Sequence, residues 1–185
     1  MCYQRHTMGC LRLLLPLLVL ALQAGPASPS ADSSEVQYFH LIAHSHCDPG
    51  WLETFEGYFN RDVAAILSGV TEALYADPGK RFIWSEISFF MRWWESRDRA
   101  TKNKFYTIVS RGQLEFVGGG WVQHDEANPS YDAVINQVTE GHEYVLKLFG
   151  QRPRIGWQID PFGHSAITPS LFSLMGYVLL RSSSH

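Results

Sequence analysis

Cysteine is scarce in this chain. Its 185 residues hold three, and Cys2 and Cys10 fall in an N-terminal stretch that reads as a leader, which leaves Cys47 alone in the remainder of the chain. A disulfide-stapled scaffold is thereby excluded, and a secreted domain of this size without a bridge is unusual enough to suggest part of a larger protein. Asn-x-Ser/Thr acceptors are missing too, since Asn128 is followed by Pro129. Positive charge is not in excess. Fifteen Lys and Arg stand against 18 Asp and Glu, a net charge of −3 with pI near 6.2, so nothing electrostatic argues for nucleic acid or an anionic membrane as partner. Long apolar runs are lacking as well: the leucine-rich stretch Leu11 to Leu22 is shorter than the ~20 residues of a spanning helix.

That stretch instead completes a leader. Arg5 supplies the positive end, Arg12 and Pro16 interrupt the apolar run, and Gly25-Pro26-Ala27 puts small residues at −3 and −1 of a cleavage point. The expectation is a signal peptide over residues 1–27, a linker over 28–37 and a domain over 38–185. Loss of Arg5 and Arg12 shifts the net charge from −3 to −5. A cleaved leader implies the secretory pathway, with a lysosomal or secreted destination and no membrane span afterwards; an uncleaved Golgi membrane anchor is the alternative.

What the chain has in quantity is apolar side chains, 45% hydrophobic and 14% aromatic, enough to bury a core. The pattern alternates strand and helix. A first strand, Val36–Ala43, ends in a His-rich segment. Asn60 is read as the N-cap of a helix to Ala76 with Val63, Ile66, Leu67, Val70 and Leu74 on one face, stopped by Asp77-Pro78-Gly79. A second strand, Arg81–Ser85, leads into Glu86 and a helix over Phe89–Trp94. A helix from Asp98 buries Phe105, Ile108 and Val109 and ends at Gly112. A third strand, Leu114–Val117, runs into Gly118-Gly119-Gly120-Trp121. The helix from Ser130 or Tyr131 stops at Gly150, the fourth strand is Arg154–Ile159, and a helix over Ala166–Met175 precedes a fifth strand, Tyr177–Leu180. No hairpin signal interrupts this order. It predicts an α/β fold with a parallel sheet, either a barrel or an open sheet, in which functional residues gather at the carboxyl ends of strands.

The strand ends are chemically loaded. His44, His46 and Asp48 alternate along a near-extended segment before Pro49-Gly50, so His46 and Asp48 can face one metal ion together; a strand-end histidine and a turn aspartate are the plain alternative. His44 shares that face, as a third ligand or a supporting group. Cys47 faces the other way, as a packed thiol. Asp160 closes the fourth strand ahead of Pro161-Phe162-Gly163, where a carboxylate can ligate metal or attack an anomeric carbon; a helix cap is the competing role. Glu86 could bind a sugar hydroxyl or pair with an arginine, and Asp125-Glu126 reads as a solvated acidic turn. Trp51, Trp121, Trp157 and Phe162 offer flat apolar faces for a sugar ring, though each could equally be core.

Taken in order, His44-Ser45-His46-Cys47-Asp48-Pro49-Gly50-Trp51, Phe82–Ile87, Gly112–Val117, Gly119-Gly120-Trp121-Val122 with Asp125-Glu126-Ala127, and Trp157–Ser165 resemble the class II α-mannosidases, glycoside hydrolase family 38. The resemblance runs from Tyr38 to Tyr177. It implies a parallel β/α barrel-type domain, a seven-stranded α/β barrel in the family, of which this chain would hold the first four or five β/α units. It further implies a zinc-dependent retaining exo-α-mannosidase acting on mannose-containing oligosaccharides or glycoprotein glycans. By motif position His46, Asp48 and Asp160 are carried over as Zn²⁺ ligands, Asp160 also as the catalytic nucleophile, and Trp51 and Phe162 as sugar-contacting aromatics.

Two of the family's roles find no match here. The acid/base aspartate and the last zinc-ligating histidine lie well beyond the Asp-Pro-Phe-Gly motif, whereas His185 is only 25 positions after Asp160 (185 − 160). The expectation is an incomplete barrel with an open edge and a polypeptide inactive by itself. A metal-dependent deacetylase or amidohydrolase is the competing enzyme class, with Asp160 as base for a water that attacks a carbonyl. A secreted mannose-binding fragment without chemistry is the non-enzymatic alternative.

Overall fold

The alternating pattern produces a parallel α/β fold. The computed structural model describes residues 37–127 and 130–182; the expected leader, most of the expected linker and the start of the first expected strand lie outside them. The chain divides into units Met1–Phe39 and His40–His185. Of the first, only residues 37–39 are described, exposed and without regular structure.

Within the second unit the elements run α1 (Phe55–Tyr58), a π-turn (Phe59–Val63), α2 (Ala64–Ala76), β1 (Phe82–Trp84), α3 (Ile87–Glu95), α4 (Arg99–Ser110), β2 (Leu114–Phe116), α5 (Tyr131–Phe149), β3 (Ile155–Gln158), α6 (Thr168–Leu174) and β4 (Leu179–Ser182). β1 pairs with β2 in parallel, Ile83 opposite Glu115, and β3 pairs with β4, Trp157 opposite Arg181. One backbone bond links the two pairs, Gly118 N–H donating to the Ile155 carbonyl at 2.7 Å. Each pair joins strands that are consecutive in the chain, and each parallel pairing is reached through a helical crossover.

The helix ends show why these segments are helical. Asp98 accepts from Thr101 N–H at 2.8 Å and Ser130 accepts from Ala133 N–H at 3.2 Å, capping α4 and α5. Gly150 closes α5 at φ +73°, a left-handed position that suits glycine. The end of α2 is tied down from a distance: the buried Gln113 amide donates to the carbonyls of Leu74 (2.7 Å) and Asp77 (2.9 Å).

The main core lies among α2, α3, α4, α5, β1 and β2 and is strongly aromatic. Phe89, Phe90, Trp93 and Trp94 of α3 are buried with Phe105, Leu114 and Phe116, and Cys47 packs against this cluster. Phe90 meets Phe116 edge-on at 4.9 Å and Phe105 at 5.1 Å between ring centres, geometries that add to the stabilisation from burial.

Three elements differ from expectation. The strand read at Val36–Ala43 reduces to a single parallel bridge, His44 opposite Ile83, with Ile83 N–H donating to the Ala43 carbonyl. β1 begins only at Phe82, so among the described residues those before Ala43 find no strand to pair with, and Leu41 and Ile42 are exposed. The first helix starts at Thr54, whose hydroxyl accepts from Gly57 N–H at 3.1 Å; Asn60 lies inside the π-turn. The last strand sits two residues later than read, because Tyr177 is held by its hydroxyl in the interior and pairing starts with Val178 N–H on the Arg154 carbonyl.

Candidate metal centre

The bridge at His44 fixes where the following residues go. The His44 ring packs edge-on against Trp157, 5.3 Å between centres, and so turns to the sheet and stays out of the ligand cluster. Two residues on, His46 faces the end of the sheet. Gly50 then turns the chain at φ +105°, its N–H donating to the Asp48 carbonyl at 2.7 Å, which folds the Asp48 carboxylate back toward His46.

Asp160 arrives from the end of β3. The loop before α5 holds it: the Glu126 carboxylate accepts from Ser165 N–H at 2.8 Å, and Gln123, with its amide oriented oxygen-first, accepts from the N–H groups of Asp160 (3.1 Å) and Ile159 (3.2 Å). Asp125 closes its own turn on Ala127 N–H. The acidic pair is thus split, one residue local and one bracing the Asp160 loop. Helix α6 takes Ile167 as its cap position, so Asp160 is not spent as a cap.

His46 Nε2 lies 3.3 Å from Asp48 Oδ1 and 3.3 Å from Asp160 Oδ2. One ligand atom from each of the three residues falls within 4.8 Å of the others. His46 is half-buried, and neither of its ring nitrogens has a hydrogen-bond partner of good geometry. A buried imidazole nitrogen without such a partner, facing two carboxylate oxygens, fits a divalent metal ion, for which nitrogen and oxygen donors at this spacing are suited. In the protein alone the same geometry pushes the His46 pKa up to about 9. The Glu86 contact is the largest cause, partly opposed by burial and reinforced by the charges of Glu86, Asp48 and Asp160. The Cys47 thiol is pushed up to about 11, chiefly by burial, as befits a packed group.

Glu86 faces neither solvent nor an arginine. It is 1% exposed, with Oε1 3.5 Å from His46 Nδ1. Burial raises its pKa and the His46 contact opposes that rise. Its backbone is held on both sides: the Glu86 carbonyl accepts from Trp84 Nε1 at 2.9 Å, and the next N–H groups, Ile87 and Ser88, donate to the carbonyls of Gly120 and Trp121. The triple glycine therefore lies in a close-packed junction. A Cβ on Gly119 would stand 2.3 Å from Pro153 Cγ, and a Cβ on Gly141 of α5 would stand 2.0 Å from the Gly119 oxygen.

Of the four aromatic candidates, Trp51 and Phe162 are each 74% exposed, Trp157 is buried, and Trp121 is half-buried against the main core. Sequence reasoning passed over a polar layer under the loop. Gln158, buried at the end of β3, donates to the His124 ring at 3.1 Å, and Gln137 of α5 accepts from Val122 N–H. Burial lowers the pKa of His124. A glutamine inside an apolar strand was the signal available for it.

Residues 37–180 match the N-terminal domain of glycosyl hydrolases family 38. Alpha-mannosidase C of Dictyostelium discoideum is 45% identical over 171 residues, 92% of this chain and 16% of its own length. The lysosomal alpha-mannosidase of Homo sapiens is 45% identical over 148 residues, 75% of this chain and 15% of its own. An alpha-mannosidase of known structure from Enterococcus faecalis V583 shares the fold at TM-score 0.65 and 20% identity, across 76% of this chain and 16% of that one. The chain thus spans a small part of the length of the relatives it matches. The span of the family match includes His44–Trp51 and Trp157–Ser165, the two segments that meet at His46, Asp48 and Asp160, and the chain belongs to glycosyl hydrolase family 38, within its N-terminal domain.

Proposed function

We propose that this chain supplies the metal-binding and nucleophilic part of a retaining exo-α-mannosidase that removes terminal α-linked mannose from oligosaccharides of N-glycan type. The convergence of His46, Asp48 and Asp160 at strand ends carries the reading. His46, Asp48 and Asp160 would hold zinc, which when bound supplies a positive charge that grips sugar hydroxyls and keeps a neighbouring carboxylate ionised. Asp160 is the nucleophile: its free carboxylate oxygen attacks the anomeric carbon, the glycosidic bond breaks, and a covalent glycosyl-enzyme forms that water later hydrolyses with retention. The exposed faces of Trp51 and Phe162 suit the apolar faces of a sugar ring.

A retaining glycosidase also needs a carboxylic acid about 5–5.5 Å from its nucleophile. No residue of this sequence matches the family's acid/base aspartate or its last histidine ligand, so the 185 residues alone should hold metal without turnover. The leader read at residues 1–27 supports routing into the secretory pathway, lysosomal or secreted. Among the described residues, no helix is long and apolar enough to cross a membrane.

A fluorinated mannosyl fluoride tests the nucleophile, because fluoride departs without an acid. With zinc present, peptide mapping should find the sugar on Asp160. Absence of label there, or label on another carboxylate, overturns the assignment and favours a base role for Asp160 in hydrolysis of an amide or ester.

A further inference from the structure

Glu86 is a carboxylate at the floor of the metal centre, 1% exposed, where an unpaired charge costs several kcal/mol. Neither carboxylate oxygen has a hydrogen bond of good geometry. The ionisable side chain nearest to Glu86 is His46, at Nδ1, 3.5 Å away, while Nε2 of the same ring points to Asp48 and Asp160 at 3.3 Å. The two faces of the imidazole are therefore divided, one nitrogen toward a buried carboxylate and the other toward the ligand carboxylates. The backbone leaves Glu86 little freedom. It sits at the cap position of α3, clamped through Trp84 Nε1 on its carbonyl and through Ile87 and Ser88 on the glycine loop. The positive end of that nine-residue helix favours a negative charge there.

We infer that Glu86 is a positioning residue for the metal centre: it takes the Nδ1 hydrogen of His46, which sets the tautomer and ring plane that present the Nε2 lone pair to the ion. This deepens the proposed metal-binding role and rests on it. Carboxylates behind histidine ligands typically contribute 10- to 100-fold to metal affinity by raising ligand basicity and fixing orientation. A glutamine would keep shape and hydrogen-bond capacity but not the charge.

The test uses the whole 185-residue chain, with Zn²⁺ affinity measured by competition against a chromophoric chelator and Co²⁺ as a spectroscopic probe. Glu86→Gln should bind one ion about 10- to 100-fold more weakly and shift the Co²⁺ ligand-field bands, while its circular dichroism stays that of the parent. Band position reports ligand geometry, which a merely structural residue would not move. Asp48→Asn serves as the control on the metal reading and should lose binding. If Asp48→Asn loses binding and Glu86→Gln stays within twofold of the parent, the inference about Glu86 is wrong and the metal centre stands. If the parent binds no ion, or Asp48→Asn binds as the parent does, both fall. Should Glu86→Gln fail to fold, Glu86→Asp decides: its carboxylate is withdrawn by one methylene, and affinity within twofold of the parent overturns the inference.

Discussion

Replacing Gly141 by alanine tests how closely α5 lies on the glycine loop behind the site. An ideal Cβ at this position would stand 2.0 Å from the Gly119 oxygen, 2.8 Å from the Gly120 carbonyl carbon and 3.0 Å from that of Gly119. Carbon and oxygen rest no closer than roughly 3.3 Å, so α5 or the loop must retreat by about 1.3 Å. The obstacle is backbone, which cannot rotate aside, and the helix carries Val134, Val138, His142 and Val145 into the interior. Overpacking of this kind costs about 1–3 kcal/mol, and the upper end applies where no side chain can yield. Alanine returns about 1 kcal/mol of helix propensity, which leaves a net loss of about 2 kcal/mol. For a chain of this size that lowers the melting temperature by about 4–8 °C. Gly69 of α2 is the matched control, since a Cβ there meets nothing within 4 Å; Gly69→Ala should gain about 0.4–1 kcal/mol. Thermal unfolding by circular dichroism compares the two. A Gly141→Ala protein that melts at or above the parent would refute the close approach of α5 to the loop.

Zinc at 100 times its Kd should stabilise the parent by about 2.7 kcal/mol, with no rise in melting temperature for Asp48→Asn; chelator should reverse the shift. His142, whose Nε2 lies 3.0 Å from the Gly118 carbonyl oxygen, has its pKa lowered by burial. A depressed histidine pKa means that the unfolded chain takes up the proton first, so this contribution is present above about pH 6.5 and is lost as pH falls below it. Denaturant titrations at pH 7.5 and 5.0 should show a smaller acid loss for His142→Gln than for the parent. Gln113→Leu strips the amide from the Leu74 and Asp77 carbonyls and should cost about 1–3 kcal/mol in urea unfolding. If Trp51 and Phe162 form the sugar platform, changing both to alanine should leave the melting temperature unchanged and abolish mannose binding measured by calorimetry.

The parts legible in the sequence are those set by neighbouring residues. The helices read from Asp98 and Ser130 begin there, each residue capping its helix, and Gly150 ends α5. The alternation of His46 with Asp48, and the place of Asp160 beyond β3, were enough to nominate residues that the fold brings within one small volume. The parts set by distant partners were not legible. Val36–Ala43 has strand-like composition, but strand formation needs a neighbour in register, and β1 offers one only from Phe82 onward. Glu86 reads as any strand-end acid until His46, 40 positions earlier (86 − 46), is seen against it. The glycines after β2 read only as the end of a strand, and the contacts that press on them come from Pro153 and Gly141, 34 and 22 positions past Gly119 (153 − 119 and 141 − 119).

The clamp at the start of α3 carries a consequence for how the site comes into being. Ile87 and Ser88 give their N–H groups to carbonyls 33 positions downstream, at Gly120 and Trp121 (120 − 87 and 121 − 88), and no side chain caps this helix locally. A nine-residue helix without its own cap is marginal in isolation. Its first turn, and with it the carboxylate behind His46, is completed only when the segment after β2 docks. That docking in turn depends on α5, whose Gln137 carbonyl accepts from Trp121 N–H at 3.0 Å. The surroundings of His46 are therefore assembled by long-range closure, the kind of contact whose loop-closure cost slows folding. A chain cut before Gly120 would still contain His46, Asp48 and Glu86 and the bridge of His44 to Ile83, yet lack the carbonyls that complete the first turn of α3.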